Sequence, residues 1–192
     1  MSRIIAGIAG GARLVAVRGA NTRPTTDRVK ESVFSRLEGY GVIQGAHVAD
    51  LFAGSGALGL EAASRGAERV TLVDSDRAAQ RAIRTNLQVL VRAGAPATVE
   101  LVACTASQQV SRWEDSGTTP LGLVFLDPPY ALGERELAAL LGRLPPLLET
   151  QAVVVVERSS RSPEPDWPTG LQRFAHRVYG ETAVWYAEPV AE

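Results

Sequence analysis

The feature that most constrains this chain is a glycine-rich stretch between a short apolar run and a helical one, Asp50-Leu51-Phe52-Ala53-Gly54-Ser55-Gly56-Ala57-Leu58-Gly59. Gly54, Gly56 and Gly59 have the spacing of a turn that ends a buried strand, brings backbone close to a ligand and opens a helix. Asp74 stands twenty positions after Gly54, where a ribose-binding acid is expected. Such a turn works at the carboxyl edge of a parallel sheet, and the rest of the sequence supplies one. Apolar strands are predicted at residues 48–52, 70–73, 98–103, 121–126 and 152–157. Helices are predicted near residues 58–65, 76–92, 106–113 and 134–144, with Asp76 as the cap of the second. Residues 3–6 and 13–17 read as two short strands around Gly10-Gly11, and residues 172–178 and 182–187 as a closing hairpin after a Pro-rich loop. The predicted fold is α/β: a Rossmann-like, doubly wound sheet with an antiparallel end.

The glycine loop admits two adenosine-bearing ligands, a nicotinamide dinucleotide or S-adenosylmethionine. Asp50 separates them. A carboxylate at the mouth of the loop repels a pyrophosphate seated on the helix N-terminus, but favours the ammonium and sulfonium of S-adenosylmethionine. The expected contacts are Asp50, Phe52, Gly54, Ser55, Gly56 and Asp74.

The chemistry is carried by Asp127-Pro128-Pro129-Tyr130, which follows the apolar run Leu121–Leu126. Two prolines without N–H groups stiffen the segment and leave it presenting acceptors, the Asp127 carboxylate and the Pro128 carbonyl. An exocyclic base amine is a poor nucleophile because its lone pair is delocalised into the ring. Two acceptors holding its two N–H bonds orient that lone pair and stabilise the positive charge that develops on nitrogen. Tyr130 is placed to stack on the base. The bland alternative is a proline turn with Tyr130 as rim packing.

Charge is unevenly distributed. Residues 1–36 carry seven basic side chains against Asp27 and Glu31, a net +5, while the remainder carries −6. The segment has no aromatic residue before Phe34, so it is expected to grip phosphates rather than stack bases. Arg13, Arg23, Arg28 and Lys30 are the candidates. Lys30 is singled out because it projects within the apolar stripe Val29, Val33, Phe34 and Leu37, on a helix that starts near Thr25 or Thr26. No apolar run approaches the ~20 residues of a membrane span, and the N-terminal residues do not read as a signal peptide. A single cysteine, Cys104, and two scattered histidines, His47 and His176, give no metal-ligating pattern. A cytoplasmic, monomeric enzyme without a metal is expected.

The segments DLFAGSGALGLEA, LVDSDR and FLDPPY resemble class I methyltransferases that modify base amino groups. RIIAG…GGARL followed by RPTTDRVKESVF is similar, more specifically, to the RsmD family, which methylates guanine N2 in 16S ribosomal RNA of the small ribosomal subunit. The resemblance runs from Arg3 to about Tyr130 and more loosely to Glu188. It implies a seven-stranded methyltransferase sheet (residues 41–192) whose last strand is antiparallel. It also implies an RNA-facing N-terminal hairpin and helix (residues 1–40), S-adenosylmethionine as cofactor, a base site of Asp127, Pro128 and Tyr130, and 16S RNA or the small subunit as partner. Many such enzymes place an acid after the third strand against the adenine amine. This chain has Ala103-Cys104-Thr105-Ala106 there, leaving Thr105 or a backbone group for that contact. An adenine-N6 methyltransferase of DNA or RNA, an NAD-dependent oxidoreductase and a non-catalytic RNA-binding assembly factor are the alternatives.

Overall fold

The computed structural model describes residues 2–17 and 27–190. Two two-residue strands, β1 (Ser2–Arg3) and β2 (Arg13–Leu14), pair antiparallel ahead of helix α1 (Asp27–Tyr40). The main sheet follows: β3 (His47–Asp50), α2 (Ala57–Ser64), β4 (Arg69–Val73), α3 (Arg77–Ala93), β5 (Thr98–Val102), α4 (Ala106–Ser116), β6 (Leu121–Leu126), α5 (Glu134–Leu141), β7 (Leu148–Ser159), β8 (Leu171–Tyr179) and β9 (Thr182–Pro189). Its strand order is β5-β4-β3-β6-β7-β9-β8, with β3 to β7 parallel and β9 antiparallel to both its neighbours. The chain moves outward from β3 to β5, then returns to place β6 on the other side of β3. The reversal leaves a crevice between the carboxyl ends of β3 and β6, where open α/β sheets bind ligands. The α/β sheet with an antiparallel end is the one predicted.

Strand alternation divides the core. Val48, Leu123, Phe125, Val153 and Val155 face one layer with Phe34 of α1, Leu60 of α2 and Ile83 of α3. Ala49, Val124, Leu126, Val154 and Val156 face the other with Val110 of α4 and Leu137 of α5. A period of two along each strand with both faces covered explains why these strands read as continuous apolar runs. Asp50 and Asp127 continue the series of Val48 and Phe125, so both leave the sheet on the α1–α2–α3 side.

The N-terminal strands are shorter than residues 3–6 and 13–17 predicted, because side chains take the backbone groups that would extend the ladder. Glu61 of α2 accepts from Ile5 N (2.7 Å) and Ala6 N (3.0 Å), and Asn86 of α3 accepts from Val15 N (2.8 Å) and donates to Val15 O (3.0 Å). The hairpin loop is held in turn by Ser64, whose Oγ donates to Ala6 O and accepts from Ala9 N. Ile4, Ala9 and Leu14 join the α1–α2 core, so three side chains anchor the hairpin to the sheet domain.

Glu61 is fully buried. Beyond the two amides, its carboxylate meets Arg65 Nε (2.7 Å) and Lys30 Nζ (3.6 Å). Removing one partner of a buried ion pair leaves an uncompensated charge. Glu61→Gln is therefore expected to lower unfolding free energy by about 3–5 kcal/mol in urea titrations; a loss under 1 kcal/mol would show that α2 and the N-terminal segment are held by apolar contact alone.

Candidate active site

The glycine loop turns between β3 and α2. Gly54 and Gly56 adopt positive φ (55° and 80°), and Gly56 caps α2 in the left-handed region. A Cβ on Gly54 would meet nothing within 4 Å, so the backbone conformation requires glycine there and the space beside it is open. Gly59 serves packing instead: its Cβ would fall 2.3 Å from Leu72 and 3.0 Å from Val70, so glycine lets α2 lie directly on the sheet.

Three carboxylates converge on this turn. Asp50, buried at the end of β3, accepts from Gly59 N through Oδ2 (3.1 Å), while its Oδ1 is buried without a hydrogen bond. Asp74, half-buried beyond β4, accepts from Gly54 N (2.8 Å) and from Asp76 N (2.8 Å), tying the glycine loop to the β4–α3 turn. Asp127 stands beyond β6, half-buried. Asp50 pairs in register with Phe125, so Asp127 lies one pleat repeat further along the neighbouring strand. Burial, with the nearby charges of Asp127 and Asp74 adding to it, raises the Asp50 carboxyl to about 7 against the opposing Gly59 and Phe52 amides. Burial also pushes Asp74 up, countered by the two amides it holds. Asp127 is raised by burial too, and the Arg158 guanidinium pulls it back.

Beyond Asp127, Pro128 is buried, Pro129 exposed, and the Tyr130 ring is 69% exposed. A turn from Leu132 N to Pro129 O (2.9 Å) closes the segment. Among the described residues, neither the Asp127 carboxylate nor the Pro128 carbonyl is taken by a hydrogen bond. Both acceptors of the ledge are thus available.

Other expected positions fare differently. Phe52 is half-buried against the α4–α5 core, and Ser55 O accepts from Asn86 Nδ2 (2.8 Å). Asp76 caps α3 by accepting from Ala79 N (2.8 Å), as expected. Thr105 caps α4, its hydroxyl accepting from Gln108 N and its amide donating to Gln108 Oε1, so the hydroxyl offered for an adenine contact already holds a helix end. Arg13 and Arg28 are exposed; Arg23 and the expected caps Thr25 and Thr26 lie outside the described residues. Lys30 corrects the sequence analysis. It is 1% exposed and bound to Glu61 and to the Arg3 carbonyl, so it holds the extension to α2 and is not a phosphate contact. Burial lowers its pKa, with Glu61 and Asp27 opposing. His47 bonds Thr119 O (3.0 Å) and His176 stacks on Trp185 (4.8 Å), which makes both packing residues. Sequence reasoning missed Glu61, Asn86 and Arg158. Glu61 had a signal, a lone charge within an apolar run.

Comparison with known proteins supplies the family. The model of a family described as conserved hypothetical protein 95 matches residues 2–188. Ribosomal RNA small subunit methyltransferase D of Escherichia coli (strain K12) is 37% identical over 181 residues, spanning 94% of this chain and 86% of that protein. The chain belongs to the RsmD family. A Bacillus subtilis (strain 168) relative of this chain, YlbH, named as a candidate rRNA methyltransferase, is 37% identical over 184 residues, 95% of this chain and 96% of its own. The solved structure of a candidate Escherichia coli methyltransferase, yhhF, superposes with a TM-score of 0.79 at 32% identity, over 99% of this chain and 98% of that one. The seven-stranded sheet is therefore the methyltransferase sheet that the RsmD resemblance implied.

Because Asp50 ionises near pH 7 in the folded protein against an ordinary 3.8, the fold holds a proton there that the unfolded chain has released. Its contribution to stability thus declines as pH rises through that window. Asp50→Asn lacks this decline. Its thermal midpoint relative to the native protein is expected to rise by about 4 °C or more between pH 5 and pH 8; a pH-independent difference would show that Asp50 is not held against its charge.

Proposed function

We propose that this protein transfers a methyl group from S-adenosylmethionine to the N2 amine of a guanine in 16S ribosomal RNA of the small ribosomal subunit. The observation that carries this reading is the negative charge gathered at the switch crevice: Asp50, Asp74 and Asp127 converge there, with an unpaired buried oxygen on Asp50. A dinucleotide would add two phosphate charges to this cluster. S-adenosylmethionine instead brings an ammonium and a sulfonium, which the carboxylates attract. Its residues fit the group. Asp50 offers Oδ1 to a cation, Gly54 leaves open space at the loop, and Asp74 has lone pairs to spare for ribose hydroxyls beyond its two amides.

When bound, the cofactor supplies an electrophilic methyl group. The chain's own part is to present the amine. The Asp127 carboxylate and the Pro128 carbonyl accept its two N–H bonds, which directs the nitrogen lone pair away from the ledge. As positive charge grows on nitrogen, the carboxylate stabilises it at short range and is placed to take the departing proton. A stiff two-proline backbone keeps the two acceptors fixed, so little reorganisation accompanies the reaction. Tyr130, largely exposed, is free to stack on an incoming base.

Two acceptors grip adenine N6 as readily as guanine N2. RNA as substrate is supported by the names of the RsmD relatives, and guanine N2 by the resemblance to the family. Arg13 and Arg28, both exposed, remain the phosphate contacts of the N-terminal segment.

Asp127→Ala is expected to reduce methyl transfer by about 10²–10³-fold while cofactor affinity changes little. Nucleoside mass spectrometry of small-subunit RNA incubated with cofactor should detect N2-methylguanosine, and N6-methyladenosine in its place would overturn the base assignment. The Arg13→Ala, Arg28→Ala double variant should weaken RNA binding and reduce the slope of log affinity against log salt by roughly 1 to 2. An unchanged slope would remove these side chains from the interface.

A further inference from the structure

Arg158 is a cation that the chemistry above does not use. It is the penultimate residue of β7, following Glu157 at the end of the apolar run Ala152–Val156, and only 9% exposed. Leu126 pairs with Val156, which places Arg158 alongside the Asp127–Pro128 step. Its Nη2 donates to Leu132 O (3.2 Å) and forms an ion pair with Glu134, the first residue of α5. Both partners lie just past Pro128-Pro129-Tyr130. Its Nε and Nη1 are buried with no hydrogen bond, although a guanidinium has five N–H donors to satisfy. A buried arginine with half its fork unused is costly to the fold alone.

We infer that Arg158 is a positioning residue of the base site, clamping the segment from Pro128 to Gly133 between β7 and α5. One guanidinium edge fixes where the loop re-enters α5. Arg158 continues the series of Val154 and Val156 on the α4–α5 face, and its charge counters the burial of Asp127. The charge of Asp127 acts on Asp50 of β3, Glu157 follows the Leu126–Val156 pair in the β6–β7 register, and Glu134 of α5 pairs with Arg158. Without Arg158 the effect of burial on Asp127 loses its counter, and Asp127 would hold its proton to higher pH.

The inference rests on Asp127 acting as the amine acceptor, and the experiment separates the two. Native protein, Arg158→Met, Arg158→Lys, Glu134→Gln and Asp127→Ala are compared for methyl transfer to small-subunit RNA across pH, for cofactor affinity, and for hydrogen exchange at the amides of residues 131–134. Arg158→Met should lower kcat by ~10²-fold with cofactor affinity unchanged, because a small displacement of the ledge is enough to lose alignment. Its acid inflection in kcat/KM should move to higher pH, and exchange at residues 131–134 should speed up. Arg158→Lys keeps the charge but not the fork. It should retain the native inflection with reduced kcat and fast loop exchange, and Glu134→Gln should do the same. These two variants carry the test if Arg158→Met does not fold. A native inflection in Arg158→Met, or native loop exchange in Arg158→Lys and Glu134→Gln, would overturn the inference while an inactive Asp127→Ala leaves the proposed function standing. Native transfer by Asp127→Ala would instead remove the base-site reading itself.

Discussion

The Glu61 carboxylate sits where the two ends of this structure's logic meet. It lies on α2, which the glycine loop leads into, and it accepts the Ile5 and Ala6 amides while facing Lys30 and Arg65. An ionised group excluded from water is tolerable only if its lone pairs are taken and its charge is matched. Glu61 meets both conditions by recruiting backbone from the N-terminal segment and cations from α1 and α2. The consequence is mechanical: the segment that carries Arg13 and Arg28 is fastened to the same helix that positions the cofactor loop. Asn86 adds a second fastening, bonding Val15 and Ser55 at once.

Around the crevice the electrostatics run the other way. Glu61 is compensated, whereas Asp50, Asp74 and Asp127 are gathered with one buried oxygen left unpaired and Arg158 as the nearby cation. Such an arrangement costs stability by itself, and in the proposed function it is completed by a bound cation. A cationic cofactor and an amine that becomes positive in the transition state are suited to complete it. On the proposed function, the same charges disfavour phosphate-bearing ligands.

The ledge owes its rigidity to both local and distant constraints. Locally, Pro128 and Pro129 restrict the backbone and leave carbonyls without competing N–H groups. At a distance, Leu132 and Glu134 are pinned from β7 by Arg158. Fixing both ends of a short segment is what allows two acceptors to act as a preorganised pair rather than as a mobile turn.

Much of this was written in the chain order. Apolar runs of strand length, glycines spaced for a turn, Asp76 and the Asp-Pro-Pro-Tyr run are local signals, because strand burial, left-handed turns, helix caps and proline stiffness act within a few residues. They determined the doubly wound sheet, the cofactor-type loop and the ledge. What tertiary structure decided was the fate of charges and backbone groups whose partners lie far away. Lys30 read as a phosphate contact, yet Glu61, thirty-one positions on, buries it. The strands expected over residues 3–6 and 13–17 stop short because Glu61 and Asn86, some fifty and seventy positions distant, take their amides. Arg158 acquires meaning only when β7 lies beside β6. Periodicity is a property of neighbours in sequence, but the partner of a buried charge is chosen by neighbours in space.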